Sequence, residues 1–152
     1  MFKRALMLAL VVAVFPAASF AAKPRFTERT SVKPTGCATT FAGRVVTLAG
    51  CVGSASITGS SAGTADFRYT AKANLANNKG SQQGTLTFHG GTGGDVLVLA
   101  FKGNVTVSSG TSIGTWSASK QSGTFAKLAP RAGTYTSHSP DHGGTVSFVV
   151  LG

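Results

Sequence analysis

Acidic residues are scarce in this chain, which has 4 Asp and Glu residues against 14 Lys and Arg residues in 152 positions. An enzymatic site needs a base, a nucleophile or a metal ligand in a fixed arrangement, and these 4 carboxylates and 3 histidines supply few candidates. The glycine-rich residues 90–94 lack the Lys-Ser/Thr pair of a phosphate-binding loop. The sequence therefore favours a protein that is not an enzyme and that uses no cofactor.

A helical pattern is also lacking, because no long stretch shows the 3.6-residue apolar period of a capped helix. Residues 67–75 instead alternate strictly, with Phe67 and Tyr69 on one face and Arg68 on the other. About eight or nine short runs of this kind, separated by glycine-rich turns, predict an all-β, antiparallel barrel of eight to nine strands, with a β-sandwich as the alternative. Besides residues 67–75, the predicted strands include residues 85–89, 95–101, 105–107, 113–118, Thr124–Leu128, 134–137 and 145–151.

The first 21 residues have the features of a secretory signal peptide. Two basic residues precede an apolar run at residues 5–15, Pro16 ends the run, and small side chains follow at Ser19 and Ala21. The run is shorter than the roughly 20 residues that a membrane-spanning helix needs. We therefore expect cleavage after Ala21, export to the periplasm or the extracellular space, and no transmembrane segment in the mature chain.

The mature chain divides into an arm and one domain. Residues 22–36 are basic, contain two prolines and show little periodicity, so we expect a flexible arm there. Residues 37–152 are expected to form a single barrel domain. Its two cysteines, Cys37 and Cys51, predict a disulfide, because an even number of cysteines in an exported chain favours pairing.

The densest group of polar side chains is at residues 138–142, where His138, Asp141 and His142 flank a Ser-Pro pair. Histidine nitrogens and a carboxylate could ligate zinc or copper. Pro140 and the following glycines are instead typical of a turn. We predict a hairpin loop without a metal ion, and a metal site is the alternative.

Aromatic side chains on the predicted inward faces have two interpretations. They either fill the interior of a small barrel or line a cavity that binds an apolar ligand. The candidate cavity-lining residues are Phe67, Tyr69, Phe88, Phe101, Trp116 and Phe125.

Residues 114–135 carry three Gly-Thr-aromatic units, GTW, GTF and GTY, which begin at Gly114, Gly123 and Gly133 and predict three successive strands. This order of units resembles small secreted bacterial proteins of the allene oxide cyclase/dirigent-like β-barrel class. The resemblance implies an antiparallel barrel of about eight strands with an internal hydrophobic cavity. It implies no activity here, because the pocket residues of the plant members have no matching positions in this chain.

The leading hypothesis is an exported, non-enzymatic barrel that binds a small apolar or amphipathic ligand, or a partner in the cell envelope. It predicts an interior pocket of about 300 Å³ or more. The formal net charge of +10 makes a secreted protein that binds polyanions at low affinity the first alternative. The second alternative is an isomerase- or lyase-type enzyme, which requires His89, Asp66 or Asp95 to point into the barrel beside Trp116.

Overall fold

The computed structural model describes residues 26–140 and 145–152, which form one antiparallel sheet closed into a barrel. Eight strands make the closed barrel and one extra strand extends its wall, so the predicted all-β barrel is confirmed. The expected signal peptide, residues 1–21, lies outside the described residues. The strands are β1 (Thr27–Val32), β2 (Ala38–Ala42), β3 (Val45–Gly59), β4 (Gly63–Asn74), β5 (Lys79–Gly90), β6 (Val96–Thr106), β7 (Thr111–Gln121), β8 (Ala132–His138) and β9 (Val146–Leu151).

Closure of the barrel depends on the 15-residue length of β3. The first residues of β3 pair with β2, in the register Val45 opposite Ala42. Its last residues pair with β1, where Gly59 lies opposite Glu28. Strand β1 also pairs with β9 along its whole length. The sheet therefore closes through β1 at one end of the barrel, whereas β2 continues the wall at the other end.

The core fills the half of the barrel that β1 closes. Rings on β6, β8 and β9 pack together there, with centroids 5.0 Å apart for Phe101 and Tyr135 and 5.7 Å apart for Phe101 and Phe148. Two inward glycines leave the space that neighbouring rings occupy. A Cβ atom on Gly53 would lie 2.3 Å from the Phe67 ring, and one on Gly133 would lie 2.7 Å from Trp116 Nε1.

The segment Thr124–Leu128 is a single helical turn, α1, so its prediction as a strand is wrong. Strands β7 and β8 pair directly with each other from Ser117 and Ala132 onward. The chain between them therefore crosses the end of the barrel, away from the sheet ladder, and makes its own bond from Ala129 N–H to the Phe125 carbonyl. Phe125 is fully buried and packs against Phe88, so α1 covers this end of the core.

The prediction of a flexible arm at residues 22–36 is wrong for the part that the structure describes. Phe26 is fully buried, and Thr27–Val32 forms the strand that closes the barrel. The inward positions alternate as Phe26, Glu28, Thr30 and Val32. Because half of these side chains are polar, the apolar period of this strand is weak in the sequence. Residues 22–25 lie outside the description.

We expect Gly53→Ala to lower the free energy of unfolding by about 1–3 kcal/mol, because the added methyl group overlaps the Phe67 ring and Val32 in a filled core. Gly93→Ala is the matched control, since its new Cβ would meet nothing within 4 Å. Urea denaturation of both variants measures the difference. Equal stability of the two variants would contradict the close packing at Gly53.

Candidate functional site

A cavity of about 760 Å³ occupies the barrel end opposite α1. The inward positions of the strands explain why this end is hollow. At this end Gly80, near the start of β5, lies opposite Val105, near the end of β6, whereas Phe88 and Leu97 lie opposite each other at the filled end. The side chains thus shrink from aromatic to small along the same two strands, and the space between the strands stays empty.

The cavity wall is apolar and comes mainly from β3, β4 and β6. Leu48 and Ala71 lie opposite each other across β3 and β4, and Val46 and Ala73 form the next pair toward the mouth. Val105 lines the cavity from β6. A wall of this kind favours burial of an apolar chain or ring, with a stabilisation of roughly 25 cal/mol for each Å² removed from water.

The floor of the cavity is polar but carries no charge. Ser112 Oγ lies 3.0 Å from Tyr135 Oη, and Ser137 Oγ donates to Gln82 Oε1 at 3.2 Å. Tyr69 also borders the cavity, and burial raises its pKa and that of Tyr135. Both phenols therefore stay neutral at ordinary pH. The floor offers hydroxyl and amide groups to a polar atom of a ligand.

Three described turns border the mouth of the cavity and form a rim, which we define as residues 41–44, 75–79 and 107–110. Backbone hydrogen bonds connect its turns: Leu75 N–H donates to the Arg44 carbonyl at 2.9 Å, and Val107 N–H to the Asn78 carbonyl at 3.2 Å. The Asn78 side chain bonds to Ser108 as both donor and acceptor. These bonds hold the turns of the rim beside one another.

The predicted disulfide between Cys37 and Cys51 is confirmed. Cys51 is fully buried on β3, and Cys37 borders the cavity. The bridge fastens the segment before β2 to the barrel wall, together with the isolated pairing of Thr35 with Val52. Disulfides persist in oxidising environments, so this one is consistent with an oxidising, exported compartment.

The aromatic residues proposed as cavity lining all point into the barrel, but five of them fill the core. Phe67, Phe88, Phe101, Trp116 and Phe125 are at most 4% exposed and contact one another or neighbouring rings. Tyr69 alone of the proposed set borders the open cavity. The prediction placed the hollow among the largest side chains, whereas large side chains close the interior and small ones leave it open.

The ionisable residues considered for catalysis lie outside the barrel interior. His89 Nε2 is 3.1 Å from Asp66 Oδ2 on the outer wall, where their side chains are 44% and 56% exposed. Ser54 donates to the same carboxylate. Asp95 accepts bonds from Thr124 and Thr92, which hold its pKa below the usual value. An isomerase- or lyase-type enzyme would need one of these three residues to point inward beside Trp116, and none of them does.

The expected loop after β8 is described only in part. His138 is exposed at the end of β8, and Asp141 and His142 lie outside the described residues. Within residues 26–140 and 145–152, no group of three or more His, Cys, Asp or Glu side chains is placed to hold a metal ion.

Glu28 is the residue that the sequence reasoning missed. Its side chain is fully buried inside the barrel, although the sequence placed it in the arm. Oε1 accepts a hydrogen bond from Ser61 Oγ at 2.8 Å, and Oε2 has no partner among the described residues. Burial raises the pKa of Glu28, and the bond from Ser61 offsets part of that rise. The alternate positions from Phe26 to Val32, with an apolar residue at each end, are the sequence signal for a strand that would place Glu28 inside the barrel.

No protein-family model matches the chain, and no curated protein matches its sequence. Across the described residues, no helix has the length and apolar character that crossing a membrane requires.

We expect Glu28→Gln to change how stability depends on pH. A raised pKa in the folded state means that the protonated form of Glu28 supports folding below the unfolded value of 4.5, and that this support is lost as pH rises through the folded pKa. The wild type should therefore lose stability relative to the variant as the pH rises above about 4.5. Guanidinium denaturation at several pH values measures this difference. A difference that does not change with pH would contradict the burial of Glu28.

Proposed function

We propose that this protein is exported and that it binds a small amphipathic molecule in the open end of its barrel. The observation that carries the proposal is the cavity of about 760 Å³ with an apolar wall and a neutral polar floor. Its size lies within the range of roughly 300–1,000 Å³ that is typical of sites for small ligands. The expected ligand has an uncharged polar head, such as a hydroxyl or carbonyl group, and one apolar chain or ring system.

The lining chemistry favours binding over catalysis. Among the described residues that border the cavity there is no carboxylate, histidine, lysine or arginine. The titratable side chains at the floor are Tyr69 and Tyr135, whose raised pKa values leave them neutral hydrogen-bonding groups. The polar groups at the floor orient a ligand through hydrogen bonds, and the apolar wall shields it from water.

The proposal also includes the class of barrel to which the protein is similar and the compartment to which it is exported. The closed, eight-stranded antiparallel barrel is the architecture that the resemblance to the allene oxide cyclase/dirigent-like class implies. The disulfide and the signal-peptide pattern of residues 1–21 support export through an oxidising compartment. Mass spectrometry of the protein recovered from the periplasm or medium tests the compartment and the cleavage after Ala21.

We expect Ala73→Phe to weaken ligand binding by roughly tenfold or more, because the new ring occupies the mouth side of the cavity. Ala100→Phe is the matched control, since Ala100 is exposed on the outer wall of β6. The measurement is the fluorescence of N-phenylnaphthylamine, a neutral amphipathic probe, titrated with each variant. Equal affinity for both variants, or no binding to the wild type, would contradict the proposal.

A second candidate function is weak binding of polyanions on the outer wall. Arg68 of β4 and Lys102 of β6 border a groove of about 700 Å³ on that wall, together with the polar side chains of Gln83 and Thr85. Exposed cations beside hydrogen-bonding groups attract sulfate and phosphate esters.

We expect the double variant Arg68→Ala/Lys102→Ala to elute from heparin at a lower salt concentration than Lys127→Ala/Arg131→Ala, which removes the same charge near α1. Each lost contact with an anionic group reduces the number of counterions released on binding. Elution of both variants at the same salt concentration would show that net charge alone retains the protein, and it would remove this candidate.

A further inference from the structure

Two large apolar side chains are exposed at the mouth of the cavity. Phe41 on β2 is 73% exposed and Leu75 after β4 is 54% exposed. Both also border the cavity, so the apolar wall continues outward onto the rim. Large apolar side chains that adjoin a cavity at one end of a protein mark a surface that meets an apolar partner.

Cations flank these apolar side chains. Arg44 is exposed in the β2–β3 turn, and its carbonyl accepts the bond from Leu75 N–H. Lys79 is exposed at the start of β5, opposite Asn74, the residue before Leu75. The rim therefore presents apolar and positively charged side chains together.

The described carboxylates lie toward the other end of the barrel. Glu28 lies opposite Gly59, the last residue of β3, and Asp66 is near the start of β4. Asp95 lies directly before β6. Asp141 is outside the described residues. The cations of the rim are thus not neutralised by a carboxylate within residues 26–140 and 145–152.

We propose that the rim docks this protein onto the surface of an anionic phospholipid bilayer, from which the ligand enters the cavity. This inference rests on the proposed function. Phe41 and Leu75 insert at the level of the headgroups, and Arg44 and Lys79 contact lipid phosphates. A lipid leaving the bilayer enters the barrel with its head first, and the polar head then reaches the polar floor while the chain contacts the apolar wall.

Charge favours a bilayer over a second copy of the chain as the partner. Pairing two rims would bring Arg44 and Lys79 of both copies together, and the repulsion between like charges opposes that contact. An anionic bilayer instead attracts each cation near its surface. Hydrogen bonds between the described turns keep the rim in one arrangement.

The test is co-flotation with vesicles, made either of phosphatidylcholine alone or of equal parts phosphatidylcholine and phosphatidylglycerol. Two pairs of variants separate the rim from the rest of the surface. Phe41→Ser is compared with Leu128→Ser, which removes a 44% exposed apolar side chain at the α1 end. Arg44→Ala/Lys79→Ala is compared with Arg68→Ala/Lys102→Ala, which removes the same charge from the outer wall.

We expect the wild type to float with anionic vesicles and to dissociate as salt is added. Removal of each rim cation should lower the partition coefficient between vesicles and solution roughly fivefold. Phe41→Ser should lower it roughly tenfold. The variants at the α1 end and on the outer wall should bind like the wild type. All variants are compared in the same processed form, which begins after Ala21, so a difference between the rim variants and their controls reports on the rim.

Probe binding in solution separates this inference from the function on which it rests. Arg44→Ala/Lys79→Ala leaves the cavity lining intact, so it should bind N-phenylnaphthylamine normally while losing vesicle binding. A wild type that binds the probe but no vesicles would overturn the docking inference alone. Equal losses for the rim and outer-wall variants would also overturn it, as would a wild-type dimer that Phe41→Ser converts to a monomer. Failure to bind the probe would overturn the proposed function itself.

Discussion

The pairing of β1 with both β9 and β3 is the constraint on which this structure depends. Without β1, the sheet has two open edges and no enclosed interior. The pairing also makes the two ends of the barrel different, because β3 bonds to β1 near Gly59 and to β2 near Val45. The barrel is therefore closed tightly at one end and is extended by an extra strand around the mouth at the other. The buried carboxyl group of Glu28 lies on the strand that makes this closure.

Once the barrel is closed, side-chain size decides which part of its interior is hollow. Aromatic rings and α1 fill the end near Phe125, and small residues such as Gly80 and Ala73 leave space near the mouth. The disulfide fastens the segment before β2, and hydrogen bonds hold the described turns of the rim beside one another. The cavity follows from the distribution of side-chain volume along strands that are otherwise regular.

Much of the fold could be predicted from the sequence, because strands such as β4 alternate cleanly and the glycines mark turns. The strand β1 could not, since Glu28 and Thr30 occupy inward positions where apolar residues are expected. The unit at Gly123 looked like its neighbours in sequence, yet tertiary position decided that it became a helical turn. The site was predicted only in outline, because local patterns identify inward side chains but do not show which end of a barrel they fill.

The end of the barrel near the mouth is hollow, and we propose that it holds an amphipathic ligand. The most direct measurement is a crystal structure of the protein with a bromine-terminated long-chain alcohol, located by anomalous scattering. We expect a bromine peak near the rim, with the hydroxyl group at Gln82 and Ser112 and the chain along Leu48 and Val105. A peak in the outer groove beside Arg68 would show that the ligand binds elsewhere, and a cavity filled by its own side chains would show that the barrel is not hollow.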